Sequence, residues 1–395
     1  MNGRVVKRWD GFSVFAGGPA RVLPGGVVIA SQGSFSGHLE NNALVAEDFN
    51  GKELWRIDHD EQVTIDDKQQ WSARQHHDWQ RSDFPAGYYS PDFAPAPSGG
   101  RTLMLTHTSH RNAKIADVVL DDDRLIERDA SGKVTWEWRA GDHIDEFGFT
   151  DAARAAIRRD GKKDGYDWFH MNSATYVGPN KWFDAGDKRF DPENVIISSR
   201  QASIVTIVAR DGTIVWQLGP NFLDSPQQAK IGQIIGQHNA TLIPEGLPGA
   251  GNLLVFDNGG ASGYGDPSPI APDGQGIYAR DSSRVLEIDP VTLEVAWSYR
   301  AFHFYSMNIS GAQRLPNGNT LITEGASGRI FEITPEKKIV WEYMNAPGDG
   351  PNAFNSVYRA YRIPYGWLPQ VPAPKEVPIE KPDPASFHVP GTPEG

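Results

Sequence analysis

Three observations predict an all-β fold, and within that class a six-bladed β-propeller, with seven blades left open. Five tryptophans recur in one local pattern: "GKELWRI" at Trp55, "GKVTWEW" at Trp136, "GTIVWQL" at Trp216, "LEVAWSY" at Trp297 and "KKIVWEY" at Trp341. Each follows apolar residues alternating with polar ones, the period of a half-buried strand. A strand–turn–strand signature precedes each of them, and 41 Gly and 29 Pro supply turns for many short elements.

Taken in order, the signature reads "GPARVLPGGVVIASQ" from Gly18, then a weaker copy, "YSPDFAPAPSGGRTLMLTH", from Tyr89. The third copy is "NSATYVGPN" from Asn172 with "NVIISSR", and the fourth is "HNATLIPEG" from His238 with "NLLVFDN". The fifth is "SGAQRLPNGNTLITEG" from Ser310. Units of this kind, repeated with aromatic punctuation, are the sequence mark of a propeller. A sixth blade is expected from the chain ends, near "GFSVF" and "NSVYRAYRIPYGW". "TDAARAAIRRDGKKDG" reads as a helical insert, and the repeated tryptophans read as core. From Leu368 the chain turns proline-rich, so residues 1–367 are expected to form the propeller domain and 368–395 an extended tail.

The totals exclude several classes. A net charge of −12 without a basic block argues against a nucleic-acid partner. No apolar run reaches membrane-spanning length. The absence of cysteine removes disulfides, thiolate nucleophiles and cysteine-bound metals. "MNGRVVKRWDGFSVF" lacks a secretory apolar run, so the chain as written is expected in the cytoplasm, or in the periplasm or outside the cell if a leader was removed. The expected partner is a small aromatic molecule; the sequence is silent on oligomeric state.

Histidine carries the chemical signal. His238 falls at the repeat position held elsewhere by Gly18, Tyr89, Asn172 and Ser310, where a blade's first strands begin near the channel. A position that changes between copies is free to serve a site. His107 aligns with the strand ends at Arg200, Asn258 and Gln32, which again suggests the channel rim. His76, His77, His110 and His143 lie outside the repeat motifs. No short metal-ligand spacing is present. The sequence singles out no cofactor, and a divalent ion is a candidate if His77, His107, His170 and His238 converge from separate blades. Trp71, Trp79 and Trp168 lie off the repeat and are candidates for an aromatic pocket. Asp142, Asp145 and Glu146 are candidates for a general base or cation site, set against an ordinary solvated loop. "LDDDR" at Leu120 reads as a surface turn. Asp257 and Glu324 sit at equivalent strand ends, where a carboxylate orients a neighbouring histidine or closes a turn.

"DWFHMNSATY", "NVIISSRQASIVTIV", "GTIVWQLG", "GQHNATLIPEGLPGAGNLLVFDNGG" and "SGAQRLPNGNTLITEGASGRIFEITPEKKIVWEY" together resemble the bacterial arylsulfotransferase family, the co-substrate-independent type with a six-bladed propeller. The resemblance implies sulfuryl transfer between phenols through a sulfated histidine, with further histidines and an arginine holding the sulfate. His170 and His238 match two sulfate-site histidines. The family's arginine is absent from "FDNGGASGYGDP", leaving Arg200 and Arg280 as substitutes. The nucleophilic histidine expected in the last third has His303 as its one candidate, ahead of Asn308 and Ser310. The disulfide cysteines of some members are missing. The catalytic set implied is His170, His238 and His303, with Arg200, His77, His107, Asn308 and Trp168 binding substrate. The alternative is a propeller that has left sulfate chemistry for histidine-based, metal-assisted lyase or hydrolase chemistry on an aromatic or polar small molecule.

Overall fold

The computed structural model describes residues 5–13, 18–35, 39–65, 68–82, 89–91, 93, 95–265, 275–346, 354–373 and 375. The chain is mostly β. Unit one holds β1 (Arg21–Leu23), β2 (Val27–Phe35), β3 (Glu40–Glu47) and β4 (Glu53–Ile57), followed by a separate hairpin, β5 (Glu61–Ile65) and β6 (Lys68–Ser72). Unit two holds β7 (Gln75–Arg81), β8 (Thr102–Arg111), β9 (Val119–Arg128) and β10 (Val134–Arg139). After helix α1 (Asp151–Asp160) comes unit three, β11 (Met171–Tyr176), a short α2 (Lys181–Asp184), β12 (Val195–Ser199), β13 (Ile204–Val208) and β14 (Ile214–Leu218). Helix α3 (Pro226–Ile231) leads to unit four, β15 (His238–Leu242) and β16 (Leu253–Asp257). The hairpin β17 (Ser262–Tyr264) and β18 (Gln275–Tyr278) precedes that unit's last strands, β19 (Arg284–Ile288) and β20 (Val295–Tyr299). Unit five is β21 (Gly311–Arg314), β22 (Thr320–Glu324), β23 (Arg329–Ile333) and β24 (Ile339–Met344).

Each unit is an antiparallel four-stranded sheet, and a bridge from Asn41 to Gln75 joins the first two. The apolar residues fill the gaps between successive units. Leu23, Ile29 and Leu44 pack with Trp79, Met104 and Ile126 between units one and two. Ile196, Ile207 and Leu218 pack with Ala240, Leu253 and Val255 between units three and four. The inner strands β7, β11, β15 and β21 are neighbours in space. This is the layout of propeller blades: face-to-face sheets with their first strands at the centre.

Five four-stranded units form among the described residues, rather than the six expected. The segment offered for a sixth carries no strand. It crosses from unit five to unit one in extended form, with Val357 N–H on Gly325 O, Arg362 N–H on Gln313 Oε1 and Gly26 N–H on Trp367 O. Val14 to Gly17, in the other proposed contributor, lie outside the described residues, as does the tail from residue 376 onward.

Unit two begins earlier than the sequence suggested. Its inner strand is "QHHDWQR", fully buried, and Tyr89 lies in the long connection that follows. The reason is a run of buried polar residues, which carries no strand-like alternation. "LDDDR" is likewise no surface turn: Asp121, Asp122 and Asp123 are buried within β9.

The repeated tryptophans are not simply core. They sit on the outer strand of each unit, and only Trp216 is buried, while Trp55, Trp136, Trp297 and Trp341 are half-buried. Four of them clasp the next unit through the indole N–H. Trp55 donates to Pro97 O, Trp136 to Arg210 O, Trp216 to Pro290 O and Trp297 to Pro335 O, at 2.8–3.0 Å. An amphipathic indole suits this place, because its ring covers the blade seam while its N–H reaches a loop carbonyl. The helical insert is helix α1, whose Thr150 side chain accepts from Ala153 N–H as its N-cap.

Candidate functional site

At the start of the inner strands the backbone departs from regular pairing. The β7–β8 register shifts between Gln75 and Trp79, β11–β12 between Met171 and Ser173, and β15–β16 between His238 and Thr241. A residue with positive φ accompanies each shift: His77 (53°), His170 (53°) and Asn239 (54°). Ile309 and Ser310 take positive φ just before β21. Such backbone is uncommon for side-chain-bearing residues and recurs at functional sites. Each bulge re-aims its side chains off the sheet, and the re-aimed set is rich in histidine.

His77, His170, Arg200, His238 and Asn308 line one cavity of about 220 Å³, together with Leu39, Ile309 and Tyr358. Five sequence-predicted site residues therefore come together from units two, three and four and the loop before unit five. Their electrostatics differ. His238 is buried, and its Nδ1 faces two acceptors, Asn258 Oδ1 at 2.8 Å and Gly236 O at 3.1 Å. The amide of Asn258 is itself oriented, because its nitrogen donates to Ser306 O and Ile309 O. Nδ1 must therefore carry the proton, which leaves the Nε2 lone pair available. Burial pushes the His238 pKa down to about 3 despite the Asn258 bond, helped by the positive charges of Arg200 and Arg359. This imidazole is neutral at every ordinary pH.

His170 is set up differently. Its Nδ1 bonds Asp167 Oδ2, and its backbone N–H donates to Asp167 Oδ1 at 3.0 Å. Against the cost of burial, the charge and hydrogen bond of His170, with His107 and His77 beyond, hold the Asp167 carboxyl well below the usual range. The carboxylate thus fixes the orientation of the His170 ring. The His77 ring lies edge-on to His170, 4.8 Å between centroids, and burial beside His170 holds it well below the ordinary imidazole pKa.

Arg200 makes no ion pair with any described carboxylate. Its guanidinium holds only Gln201 Oε1 at 3.3 Å and Ala261 O at 3.4 Å. Burial lowers its pKa, though an arginine stays charged. A cation without a counter-ion at a cavity wall is suited to an anionic ligand. Arg280 does not share that role, since it pairs with Asp257 at 2.8 Å.

The remaining expectations divide as follows. His303 is exposed, its ring tilted against Phe302, and it does not line the cavity. Trp168 is fully buried core whose indole donates to Asp122, and Trp79 is core as well. Trp71 is half exposed on the β5–β6 hairpin, so no aromatic pocket forms from the three. Asp145 is exposed and bridged to Lys114 and Arg154, the ordinary loop reading. Asp257 and Glu324 orient no histidine: Asp257 holds Arg284 and Glu324 accepts from Tyr305 N–H. His107 stands behind the cavity, stacked on His76 with 3.8 Å between centroids and bonded to Glu40. The four histidines offered as metal ligands do not form one ligand cluster; His107 instead groups with His76 and Asp123.

The model of the family described as arylsulfotransferase (ASST) matches residues 77–346. The chain belongs to the arylsulfotransferase family. The matched region covers the inner-strand bulges of units two to four and every cavity residue except Leu39 and Tyr358. No curated protein sequence matches. Among solved structures, a protein of unknown function from Bacteroides caccae is 12% identical, with 87% of this chain and 85% of that one covered and a TM-score of 0.44. Virginiamycin B lyase from Staphylococcus aureus is also 12% identical, over 83% of this chain and 69% of that one, with a TM-score of 0.38. The Myceliophteria thermophila Cps50 (Swd1) β-propeller domain is 11% identical over 85% and 72%, with a TM-score of 0.38. Among the described residues no helix is long and apolar enough to cross a membrane.

Sequence reasoning missed Asp167, Leu39, Ile309 and Tyr358 in and around this cavity of the arylsulfotransferase-family chain. Asp167 was findable, because an acid three residues before a histidine can reach it around a turn. Tyr358 was not, since it arrives from a strandless segment nearly two hundred residues downstream of His170 in the chain.

Proposed function

We propose that this chain transfers a sulfuryl group from an aryl sulfate to a phenol in the cavity of His77, His170, Arg200 and His238. The observation that carries the reading is a guanidinium that makes no ion pair, beside three imidazoles held by different partners, in a cavity with an apolar wall. Membership of the arylsulfotransferase family supports it.

Arg200 takes the sulfate oxygens, and Leu39, Ile309 and Tyr358 take the aryl ring. His238 Nε2, neutral and with its lone pair free, attacks sulfur. As the N–S bond forms, the S–O bond to the aryl group breaks and its electron pair leaves on the phenol oxygen. That oxygen takes a proton from the His170 imidazolium, which Asp167 stabilises. Asn258 Oδ1 and Gly236 O hold the Nδ1 proton of the sulfated ring, which becomes more acidic on sulfation. An acceptor phenol then returns its proton to His170 and attacks sulfur, and the N–S pair returns to Nε2. The nucleophile is thus His238 in place of His303.

The test is release of 4-nitrophenol from 4-nitrophenyl sulfate with phenol as acceptor, together with intact mass after donor alone. Acceptor-dependent release, with one sulfuryl group retained on wild type and none on His238→Asn, is the expected result. Absence of release, or full activity in His238→Asn, overturns the assignment.

A further inference from the structure

Behind the cavity wall, three adjacent strands of unit two bring together two imidazoles and a carboxylate. His76 lies in the β7 bulge, His107 in β8 and Asp123 in β9, where His107 and Asp123 are direct cross-strand partners. All three are at most 1% exposed. His76 Nε2 is 3.4 Å from Asp123 Oδ1, His107 Nε2 is 3.8 Å from the same oxygen, and the three atoms lie within 4.8 Å of one another.

These three atoms have no hydrogen-bond partner. A buried polar atom without a partner asks for an explanation, and here three of them lie side by side. The other end of each side chain is anchored. His107 Nδ1 bonds Glu40 Oε1 at 2.9 Å, Asp123 Oδ2 accepts from Met171 N–H at 2.9 Å, and His76 Nδ1 lies 2.8 Å from His77 Nδ1. Glu40 is in turn held at both carboxylate oxygens by Arg74 Nε and Nη2. A carboxylate behind a histidine, with the outer nitrogen left open, is the usual support of a metal ligand.

We propose that His76 Nε2, His107 Nε2 and Asp123 Oδ1 bind a first-row divalent transition metal ion of the Zn²⁺ type. Bonds of ~2.0–2.1 Å to a four-coordinate ion place ligand atoms about 3.4 Å apart, close to the two separations to Asp123. Imidazole and carboxylate donors suit zinc, cobalt or iron better than the all-oxygen ions magnesium and calcium. The site does not depend on the sulfotransfer reading. It has a consequence for the cavity, however. An ion on His76 Nε2 keeps the proton on His76 Nδ1, which then donates to His77 Nδ1. His77, a cavity residue, is left with its proton on Nε2.

The experiment is titration of the chelator-treated full chain with Zn²⁺ and Co²⁺ in competition with a chromophoric chelator. One ion per chain is expected, with visible Co²⁺ ligand-field bands and paramagnetically shifted ring resonances from two histidines. Asp123→Asn and His107→Gln should lose the bands, and Glu40→Gln should bind about 10–100-fold more weakly. Circular dichroism establishes that each variant is folded. Wild-type protein that takes up neither ion at one equivalent overturns the proposal, as does Co²⁺ binding without two shifted histidines, whatever the variants do. Unchanged affinity in folded Asp123→Asn overturns it too.

Discussion

Asn258 Oδ1 lies 2.8 Å from His238 Nδ1, and the same amide's nitrogen is fixed by the carbonyls of Ser306 and Ile309. One side chain thus ties the residue just after β16, the loop before β21 and the tautomer of the central histidine. A neutral acceptor at that place holds the ring without charging it. Asn258→Asp should therefore raise the His238 pKa and move the acid limb of kcat/KM toward neutral pH, while wild type keeps its His238 contribution flat above pH 4. A pH–rate profile of both proteins checks this; an unmoved limb contradicts the assignment of His238 as the nucleophile.

The same burial has a stability signature. The folded-state pKa of His238, about 3, lies below the ordinary 6.5. Between those values the unfolded chain binds the proton and the folded chain does not. Stability consequently rises with pH through this window and falls as pH drops from about 6.5 toward 3, by a few kcal/mol at most. His238→Asn should remove that component, flattening urea midpoints measured from pH 4 to 7 relative to wild type.

Arg200 is the residue whose loss should separate function from fold. It makes no ion pair and only two long hydrogen bonds, and Asp167 keeps its bonds to His170, so Arg200→Gln should change stability by no more than about 1 kcal/mol. Transition-state charge stabilisation by a placed donor is worth about 10²–10³ in rate, and a fall of that size in kcat/KM for 4-nitrophenyl sulfate is expected. His303→Ala, exposed and outside the cavity, should keep wild-type turnover.

Much of this site was legible before the structure, and the reason is the repeat. Alignment of copies placed His238 and Arg200 at strand ends of different units, and those ends meet because inner strands of successive units are neighbours. Family motifs added His170. The alignment failed where a copy was atypical. "QHHDWQR" and "LDDDR" are buried strands made of polar residues, so hydrophobic periodicity could not find them, and the grouping of His76 with His107 and Asp123 went unseen. Part of this polar interior is paired with groups of opposite charge, as Arg74 is with Glu40 and Asp121. The tryptophan repeat was read correctly as a marker of the fold, but its physical role lies in clasping the next unit.

That role is measurable. Trp216 is 7% exposed and donates to Pro290 O at 2.8 Å, whereas Trp297 is half-buried and reaches Pro335 O at 2.9 Å across a more solvated seam. Replacing either by Phe keeps an aromatic ring and deletes the N–H. At Trp216 the abandoned carbonyl has little access to water, and its desolvation is no longer compensated, a loss of about 1–3 kcal/mol. At Trp297 water replaces the lost donor, and the cost should stay below about 1 kcal/mol. Denaturant midpoints of Trp216→Phe and Trp297→Phe should therefore differ in that order, with an unchanged m-value. Equal losses at the two sites would mean that the indole rings, rather than their N–H clasps, hold successive units together.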